Sequence, residues 1–286
     1  MKKELDVSVE EDVIKVIPDV VFSQVPDYFG EMVKNLKLDL ILPLTQNENS
    51  KKRPLIIWII GGGWRAINKS KFNGELVPYV KQGYTVASIE YRVSSEAVFP
   101  AQIIDVKAAI RYLRANADKY NLDPEQFFIM GESAGGHLSA LAGTAGDVDE
   151  WNHGQYKNIS SKVQGCIILY GICDFENKPL YPVPELFHDL APEELLVGGK
   201  IPAHTDVAKA MNPLTYVSDK TPPFLIFHGL NDCVVPYKQS ETLYEGLVEE
   251  NVEADLYLIK NANHADSKFY QKEVRDIIFE FLKERR

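Results

Sequence analysis

The chain has 286 residues, 45% of them hydrophobic and 25% charged, which is the length and composition of a globular protein with a sizeable core. Its formal net charge of −10 argues against a protein that binds phosphate backbones, so we expect no nucleic acid partner. The sequence shows no apolar stretch long enough to cross a membrane and no signal-peptide core after the first lysines, so we expect no membrane association.

The cysteines are sparse and odd in number: Cys166, Cys173 and Cys233. This count is typical of a reducing compartment without a disulfide framework, so we expect a cytoplasmic protein. The three have no C-x-x-C spacing, and we therefore expect no structural zinc site.

Eight apolar or alternating runs predict β-strands, in chain order at residues 13–25, 36–43, 55–60, 84–91, 126–131, 165–171, 223–229 and 254–260. Helices are predicted among the later strands and after the last, at residues 71–83, 103–120, 133–145, 237–251 and 266–286. We expect the first two strands to form an antiparallel hairpin. The β-α alternation that follows predicts an α/β fold with a mostly parallel, eight-stranded sheet and helices on both faces.

One region interrupts this alternation. Residues 174–222 contain many prolines and no clear strand, and a long irregular insert in an α/β domain is usually a lid or a substrate wall. We therefore predict a single domain over residues 1–286 with a small cap-like insert at about 174–222. Tyr181 and Phe187 in the insert could form an aromatic wall for a sugar or an aromatic ring, or could form the insert's own small core.

A glycine-rich stretch, WIIGGGWRA (residues 58–66), follows a predicted buried strand and has two interpretations. Gly61, Gly63 and Ala66 fit the dinucleotide pattern G-x-G-x-x-G/A, with Glu90 placed to bind a ribose. That interpretation predicts a nicotinamide-dependent oxidoreductase. In the other, the glycine N–H groups form an oxyanion hole, which stabilises the negative charge that develops in acyl transfer.

A second motif, FIMGESAGG (residues 128–136), carries G-x-S-x-G around Ser133, where a buried strand meets a helix of small residues. The flanking glycines permit the sharp turn that exposes a nucleophilic serine. The N-terminal N–H groups of the following helix favour negative charge at the same place. We predict that Ser133 is a nucleophile, the alternative being an incidental serine in a tight turn.

A serine nucleophile needs a base, and we predict His264, in the loop between the last strand and the last helix. His137 is tied to the helix after Ser133, where we expect it to pack, and His228 ends a strand, where we expect hydrogen bonds to backbone. The remaining histidines are assigned to loops or to the insert: His153, His188 and His204.

The base in turn needs an acid to fix its tautomer, and we predict Asp232, in the loop after the strand at residues 223–229. Asp174 and Glu176 are rival candidates for this role. The chain order Ser133, Asp232, His264 is that of α/β-hydrolases.

This order favours the oxyanion-hole interpretation, in which Gly62 and Gly63 act with Ala134. The dinucleotide interpretation weakens because Trp64 and Arg65 would put bulk in a pyrophosphate turn, and because it leaves the Ser-Asp-His order unexplained. We expect Trp64 to line the substrate pocket or its mouth, with core packing under the loop as the alternative.

Four segments carry a resemblance to a known family: GGGW, VFPAQIIDVKAAIRYLRANADKYNLDP, GESAGGHLSAL and HGLNDCVVP. They resemble α/β-hydrolase esterases related to hormone-sensitive lipase, and look closest to the bifunctional feruloyl and acetyl-xylan esterases. The resemblance implies an α/β-hydrolase fold, short acyl esters as substrates, no cofactor, and Ser133, Asp232 and His264 as the catalytic triad. The chain departs from the usual H-G-G-G pattern because Ile60 stands at the histidine position, which puts loop rigidity and substrate preference in question.

The sequence thus predicts a serine carboxylesterase acting on acetyl or feruloyl esters of small carbohydrates. Two alternatives stay open beside it: an amide hydrolase of the arylformamidase kind and a catalytically inactive α/β-hydrolase used as a binding module. The edge of the N-terminal hairpin leaves a homo-oligomer open.

Overall fold

The computed structural model describes residues 1–8, 12–27, 29–44, 51–175 and 191–286. Its strands are β1 (Ile14–Pro26), β2 (Val33–Pro43), β3 (Arg53–Ile59), β4 (Thr85–Ile89), β5 (Leu122–Glu132), β6 (Gly165–Leu169), β7 (Phe224–Gly229) and β8 (Ala254–Ile259). Its helices are α1 (Asn73–Lys81), α2 (Ala101–Ala115), α3 (Ala117–Tyr120), α4 (Ala134–Thr144), α5 (Pro192–Val197), α6 (Thr205–Met211), α7 (Lys238–Glu249) and α8 (Lys272–Lys283).

The strands form one eight-stranded sheet in the order β1-β2-β4-β3-β5-β6-β7-β8. β1 pairs antiparallel with β2, and β2 pairs antiparallel with β4, whereas all pairs from β4 to β8 are parallel. Strands buried on both faces have continuous apolar runs, which is why β3, β5 and β7 were recognisable from sequence. The predicted fold class, with its N-terminal hairpin, is confirmed.

Helices cover both faces of the sheet. On one face, buried side chains of α2, α4 and α7 form a core, represented by Ile103, Leu138 and Leu243. On the other face, a second core includes Leu76 of α1 and Ile278 of α8. Within the described ranges, no helix combines the length and the apolar content that crossing a membrane requires.

Several element boundaries differ from the predictions, the largest shifts being that β5 begins at Leu122 instead of residue 126 and α8 at Lys272 instead of residue 266, and two differences have a clear local cause. The helix predicted over residues 103–120 is two helices, because the chain leaves helical geometry at Asn116, whose side-chain amide donates to the carbonyl of Tyr112. The strand predicted over residues 165–171 ends at Leu169, because Tyr170 adopts a positive φ of 41°.

The part of the predicted insert that the structure describes, residues 191–222, contains α5, α6 and short 3₁₀ turns. Leu196 and Met211 from this part are fully buried in the core with α2 and α4. Residues 176–190, including Tyr181 and Phe187, lie outside the described residues. The single-domain boundary and the cap-like role of the insert stay predictions.

The parallel register of the sheet aligns the carboxyl ends of its parallel strands, so the segments that follow them lie side by side. Ile59 at the end of β3 pairs with Gly131 near the end of β5, and Glu132 pairs with Leu169 at the end of β6. In open α/β sheets, ligands bind outside the carboxyl ends of the strands. The segments after β3, β5, β7 and β8 are therefore where a site is expected.

Candidate active site

The nucleophile turn, residues 131–136, joins β5 to α4 and carries Ser133 at its apex. Ser133 has φ 53° and ψ −121°, a conformation in which a side chain is strained. The turn is held by the Ser133 N–H, which donates to the carbonyl of Leu169 (2.9 Å), and by the Ser133 carbonyl, which accepts from the N–H of His137 (3.0 Å). The strain is therefore maintained by the surrounding backbone.

Two glycines make this turn sterically feasible. A Cβ on Gly135 would lie 2.0 Å from the carbonyl oxygen of Ile59, and a Cβ on Gly131 would lie 2.4 Å from the carbonyl oxygen of Gly135. Both separations are far below any van der Waals contact. The G-x-S-x-G pattern is thus required by the close approach of β3, β5 and α4.

His264 lies after β8 and reaches Ser133. Its Nε2 atom is 2.9 Å from Ser133 Oγ, and its Nδ1 atom is 2.7 Å from Asp232 Oδ2. With Asp232 ionised, Nδ1 carries the proton and Nε2 can accept the serine hydroxyl proton. The ring of Tyr170 packs edge-to-face on the imidazole, with centroids 4.8 Å apart.

Asp232 lies in the aspartate loop, residues 230–235, which follows β7. Its Oδ1 atom accepts the N–H groups of Val234 (2.9 Å) and Val235 (2.7 Å), and its Oδ2 atom faces the imidazole of His264. Burial alone would raise the pKa of Asp232, but hydrogen bonds from His228, His264 and Val235 hold that pKa well below its usual range. The carboxylate is therefore ionised at neutral pH.

His228 adds a contact that the sequence did not predict. Its Nδ1 atom is 2.7 Å from Ser240 Oγ and its Nε2 atom is 2.8 Å from the carbonyl oxygen of Val235, as expected for a histidine that binds backbone. The same Nε2 atom lies 3.2 Å from Asp232 Oδ2. Burial lowers the pKa of His228 despite the neighbouring carboxylate, so a neutral imidazole donates from Nε2. The only sequence signal was its place at the end of a strand, four residues before Asp232.

The glycine turn, residues 61–63, follows β3 and faces the same space. Gly62 and Gly63 have φ values of 128° and 58°, and a Cβ on Gly62 would lie 1.9 Å from the carbonyl oxygen of Ala66. Within the described part of the chain, the N–H groups of Gly62 and Gly63 donate to no carbonyl or side chain. Ala134 is the first residue of α4, and the first N–H groups of a helix have no acceptor inside it.

Ile60 occupies the position where the resemblance leads one to expect histidine, and it is buried. Its carbonyl oxygen accepts the hydroxyl of the buried Tyr91 at 3.0 Å. The next residue, Gly61, donates its N–H to the side chain of Glu132 at 2.6 Å. The glycine turn is thus held from both sides by side chains from β5 and from the segment after β4.

Trp64 lies both at the cavity and in the core, the two locations considered from the sequence. It lines the cavity described below, yet it is only 1% exposed and packs against His137 and Phe175, with ring centroids 5.4 Å and 6.0 Å away. Among the described residues, its indole N–H has no hydrogen-bond partner. Trp64 therefore forms a wall between the cavity and the core.

The rival residues are placed elsewhere. His137 is fully buried, its Nε2 lies 2.8 Å from the carbonyl oxygen of Met211, and burial lowers its pKa to about 4. Asp174 is fixed through its backbone by Gln239. Of the other rivals, Glu176 and His188 lie outside the described residues.

The dinucleotide interpretation of the glycine turn loses its two key groups. The Glu90 carboxylate accepts the N–H of Lys37 at 3.0 Å, and the N–H of Gly61 is taken by Glu132. Both groups thus already take part in hydrogen bonds within the fold, which weakens the dinucleotide interpretation further.

A cavity of about 680 Å³ opens above these groups. Ser133, His264 and the glycine turn line one part of it, and apolar side chains line much of the rest, including Ile67, Ile172, Pro192 and Val234. Pro192 belongs to the predicted insert, so the insert contributes to the wall. Cavities of this size and character are typical of small-molecule sites.

Comparison with known proteins places the chain in a family. The sequence pattern of the family described as BD-FAE matches residues 38–247. The chain is 35% identical over 202 residues to esterase LipC of Mycobacterium tuberculosis, a match that covers 69% of this chain and 49% of LipC. The chain spans about half the length of the curated relatives it matches.

Two solved structures are similar over nearly the whole chain. A structure described as a truncated carbohydrate esterase from gut microbiota superimposes with a TM-score of 0.80 at 30% identity, covering 97% of this chain and 98% of that one. A bifunctional GH43-CE protein of Bacteroides eggerthii superimposes with a TM-score of 0.81 at 30% identity, covering 94% of this chain and 35% of that one.

Proposed function

The chain belongs to the BD-FAE family, and on that premise we propose that it is a serine carboxylesterase that hydrolyses short-chain acyl esters. The observation that carries the proposal is a continuous hydrogen-bonded chain from Ser133 Oγ through His264 to Asp232, with separations of 2.9 Å and 2.7 Å. These are the distances that a nucleophile, its base and the orienting acid need. This hydrogen-bonded series opens into the cavity beside the N–H groups of Gly62 and Gly63, which have no acceptor among the described residues.

In the proposed mechanism, Ser133 Oγ attacks the ester carbonyl carbon while its proton passes to His264 Nε2. The N–H groups of Gly62, Gly63 and Ala134 stabilise the resulting oxyanion, and the loss of one such donor costs about 3–4 kcal/mol in comparable sites. Collapse of the intermediate breaks the bond to the alcohol oxygen, which takes the proton from His264 and leaves.

The acyl-enzyme is then hydrolysed by the same groups. His264 Nε2 removes a proton from water, whose oxygen attacks the acyl carbon, and a second oxyanion forms at the same N–H groups. Its collapse releases the carboxylic acid and returns the proton to Ser133 Oγ. Asp232 stays ionised throughout, and its negative charge stabilises the imidazolium that each half-reaction forms.

For the substrate, we propose acetyl or feruloyl esters of small carbohydrates. Both similar structures at 30% identity are described as carbohydrate esterases or as containing such a module. A largely apolar cavity of about 680 Å³ has room for a short acyl chain or one aromatic ring beside Ser133.

The first test is a series of p-nitrophenyl esters from acetate to octanoate, with Ser133→Ala as the matched control. We expect activity that is highest with the shortest chains and that the variant loses while it keeps the wild-type circular dichroism spectrum. Equal activity in the folded variant would overturn the assignment of Ser133.

The same preparation separates the alternatives. Hydrolysis of N-formyl aromatic amides without ester turnover would favour the amide-hydrolase alternative, and a folded protein with neither activity would favour the binding module. Acetylated xylo-oligosaccharides and polymeric acetylated xylan then test the substrate class. We expect turnover of the oligosaccharides, and hydrolysis of the polymer alone would contradict a small-carbohydrate substrate.

A further inference from the structure

Glu132 is a buried acidic residue that the proposed mechanism does not use. It ends β5 immediately before Ser133 and is only 6% exposed. A buried carboxyl group is costly unless its oxygens are hydrogen-bonded, and an apolar side chain of similar size would avoid that cost. Its presence at this position therefore calls for a physical reason.

The contacts of Glu132 cross from one turn of the site to another. Its Oε1 atom accepts the N–H of Gly61 at 2.6 Å, a short bond of the strength typical of charged acceptors. A Cβ on Gly61 would lie 2.7 Å from both Oε1 and the carbonyl oxygen of Glu132, so the two backbones are in direct contact. One side chain thus ties the strand of the nucleophile to the glycine turn.

Glu132 is also linked to the histidine through Tyr170. The Tyr170 hydroxyl interacts with its carboxyl group, and the same hydroxyl lies 3.2 Å from that of Tyr270. The Tyr170 ring packs on His264. Burial raises the pKa of Glu132, and the hydrogen bond from the Gly61 N–H together with the charge of Lys71 opposes that rise.

We propose that Glu132 is a positioning residue for the oxyanion hole: by fixing the N–H of Gly61 it aims the N–H groups of Gly62 and Gly63 at the space beside Ser133 Oγ. This inference rests on the proposed esterase function. Gly62 and Gly63 have no side chains of their own to hold them, and because glycine adopts φ values of either sign with similar ease, their positive φ values need a restraint from neighbouring groups. The hydrogen bond is the nearest restraint on them from the nucleophile strand.

The second restraint acts on the other end of the same peptide unit. Tyr91 donates to the carbonyl of Ile60, which lies in one planar peptide with the N–H of Gly61. Removing the Glu132 acceptor would leave that N–H without a partner and hold this peptide from its carbonyl side alone, so the Gly61–Gly62 peptide that follows would be free to shift. Such a change affects the transition state more than substrate binding.

The test compares Glu132→Met, which removes the acceptor at nearly constant volume, with Glu132→Gln, whose amide oxygen can still accept from Gly61. We expect kcat on the best p-nitrophenyl ester to fall by about 10- to 100-fold in Glu132→Met, with KM within about threefold of the wild-type value. In Glu132→Gln we expect kcat to fall by less than about fivefold. The affinity for a trifluoromethyl ketone, which forms a tetrahedral adduct with the serine, should fall in parallel with kcat.

Asp105→Asn is the matched control, because Asp105 is a buried carboxylate that binds Arg92 and does not line the cavity. It should lower the thermal midpoint without changing ketone affinity in the folded enzyme. Glu132→Ala serves as a second acceptor-free variant if Met does not fold, with the same expected loss and the same comparison with Gln.

The proposal would be overturned if the acceptor-free variant kept the wild-type kcat and ketone affinity. It would also be overturned if Glu132→Gln lost as much kcat as the acceptor-free variant. Failure of the esterase function itself is distinguishable, because it would show as a wild-type protein without ester turnover. That result would overturn both proposals together.

Discussion

The nucleophile turn is held by backbone atoms, through close packing and two backbone hydrogen bonds, whereas the aspartate loop on the other side of His264 is held by hydrogen bonds to one ionised side chain. In the nucleophile turn, backbone atoms of neighbouring segments occupy the places where side chains of Gly131 and Gly135 would be. In the aspartate loop, the carboxylate of Asp232 lies within hydrogen-bond distance of two N–H groups and two imidazoles.

This difference determines what each region tolerates. Steric fit does not depend on pH but fails when volume is added, since interiors cannot yield by an ångström at low cost. A hydrogen-bonded carboxylate tolerates a substitution of equal size but depends on its charge. The two regions should therefore respond in opposite ways to added volume and to acid.

The largest expected effect comes from Asp232→Asn, which removes the charge at nearly constant volume. We expect kcat to fall by about 10⁴-fold, because the amide no longer selects the His264 tautomer that accepts the serine proton. The measurement is kcat on the best p-nitrophenyl ester, corrected for folded protein. Asp174→Asn, in the rival acid, is the control and should cost less than about tenfold.

Gly135→Ala tests the packed region. Its Cβ would lie 2.0 Å from the carbonyl oxygen of Ile59, so we expect the free energy of unfolding to fall by more than about 4 kcal/mol. Gly136→Ala is the matched control, because the nearest atoms to its Cβ are 3.0 Å away, and it should cost less than about 2 kcal/mol. Urea unfolding measures both, and similar losses in the two variants would mean that the turn is not sterically fixed.

The pH dependence of stability separates the two regions directly. Hydrogen bonds hold the folded-state pKa of Asp232 below that of the unfolded chain, about 4, so its stabilising contribution is present above pH 4 and is lost as the pH falls further. The difference in unfolding free energy between wild type and Asp232→Asn should shrink below about pH 4, by up to about 1.4 kcal/mol per pH unit. The deficit of Gly136→Ala should stay constant over the same range, and a constant deficit in Asp232→Asn would contradict this account.

The smallest expected effect is that of Ser240→Ala. It removes the hydroxyl that faces His228 Nδ1 at 2.7 Å, and a buried hydrogen bond of this kind contributes about 1 kcal/mol. We expect a loss of about that size in unfolding free energy. The change in kcat should be only a fewfold, because Asp232 keeps the N–H groups of Val234 and Val235 and the imidazole of His264. A loss of kcat comparable with that of Asp232→Asn would show that His228 controls the acid more strongly than inferred.

The packed region was the more predictable of the two from sequence. The G-x-S-x-G pattern is a local backbone requirement, and the apolar runs of the buried strands place it at the edge of the sheet. The pattern at Gly131, Ser133 and Gly135 is visible in residues that are neighbours in the chain, although the atom that excludes a Cβ at Gly135 belongs to Ile59.

The hydrogen-bonded contacts were harder to predict because they depend on how the chain folds back on itself. The contact between His228 and Asp232 depends on how the aspartate loop folds back, and the bond between Glu132 and Gly61 joins residues 71 positions apart. Trp64 lies between two environments, so its sequence context could not decide between pocket and core. Side-chain partners of this kind are set by tertiary packing, for which residue spacing gives no signal.

The most direct test of the central claim is stoichiometric labelling with a fluorophosphonate, followed by peptide mapping by mass spectrometry. A serine activated by His264 and flanked by an oxyanion hole should react to one label per chain, on Ser133, with loss of ester turnover in proportion to labelling. The Ser133→Ala variant should take no label. An enzyme that hydrolyses esters but is labelled at another residue, or stays active when Ser133 is fully labelled, would contradict the account.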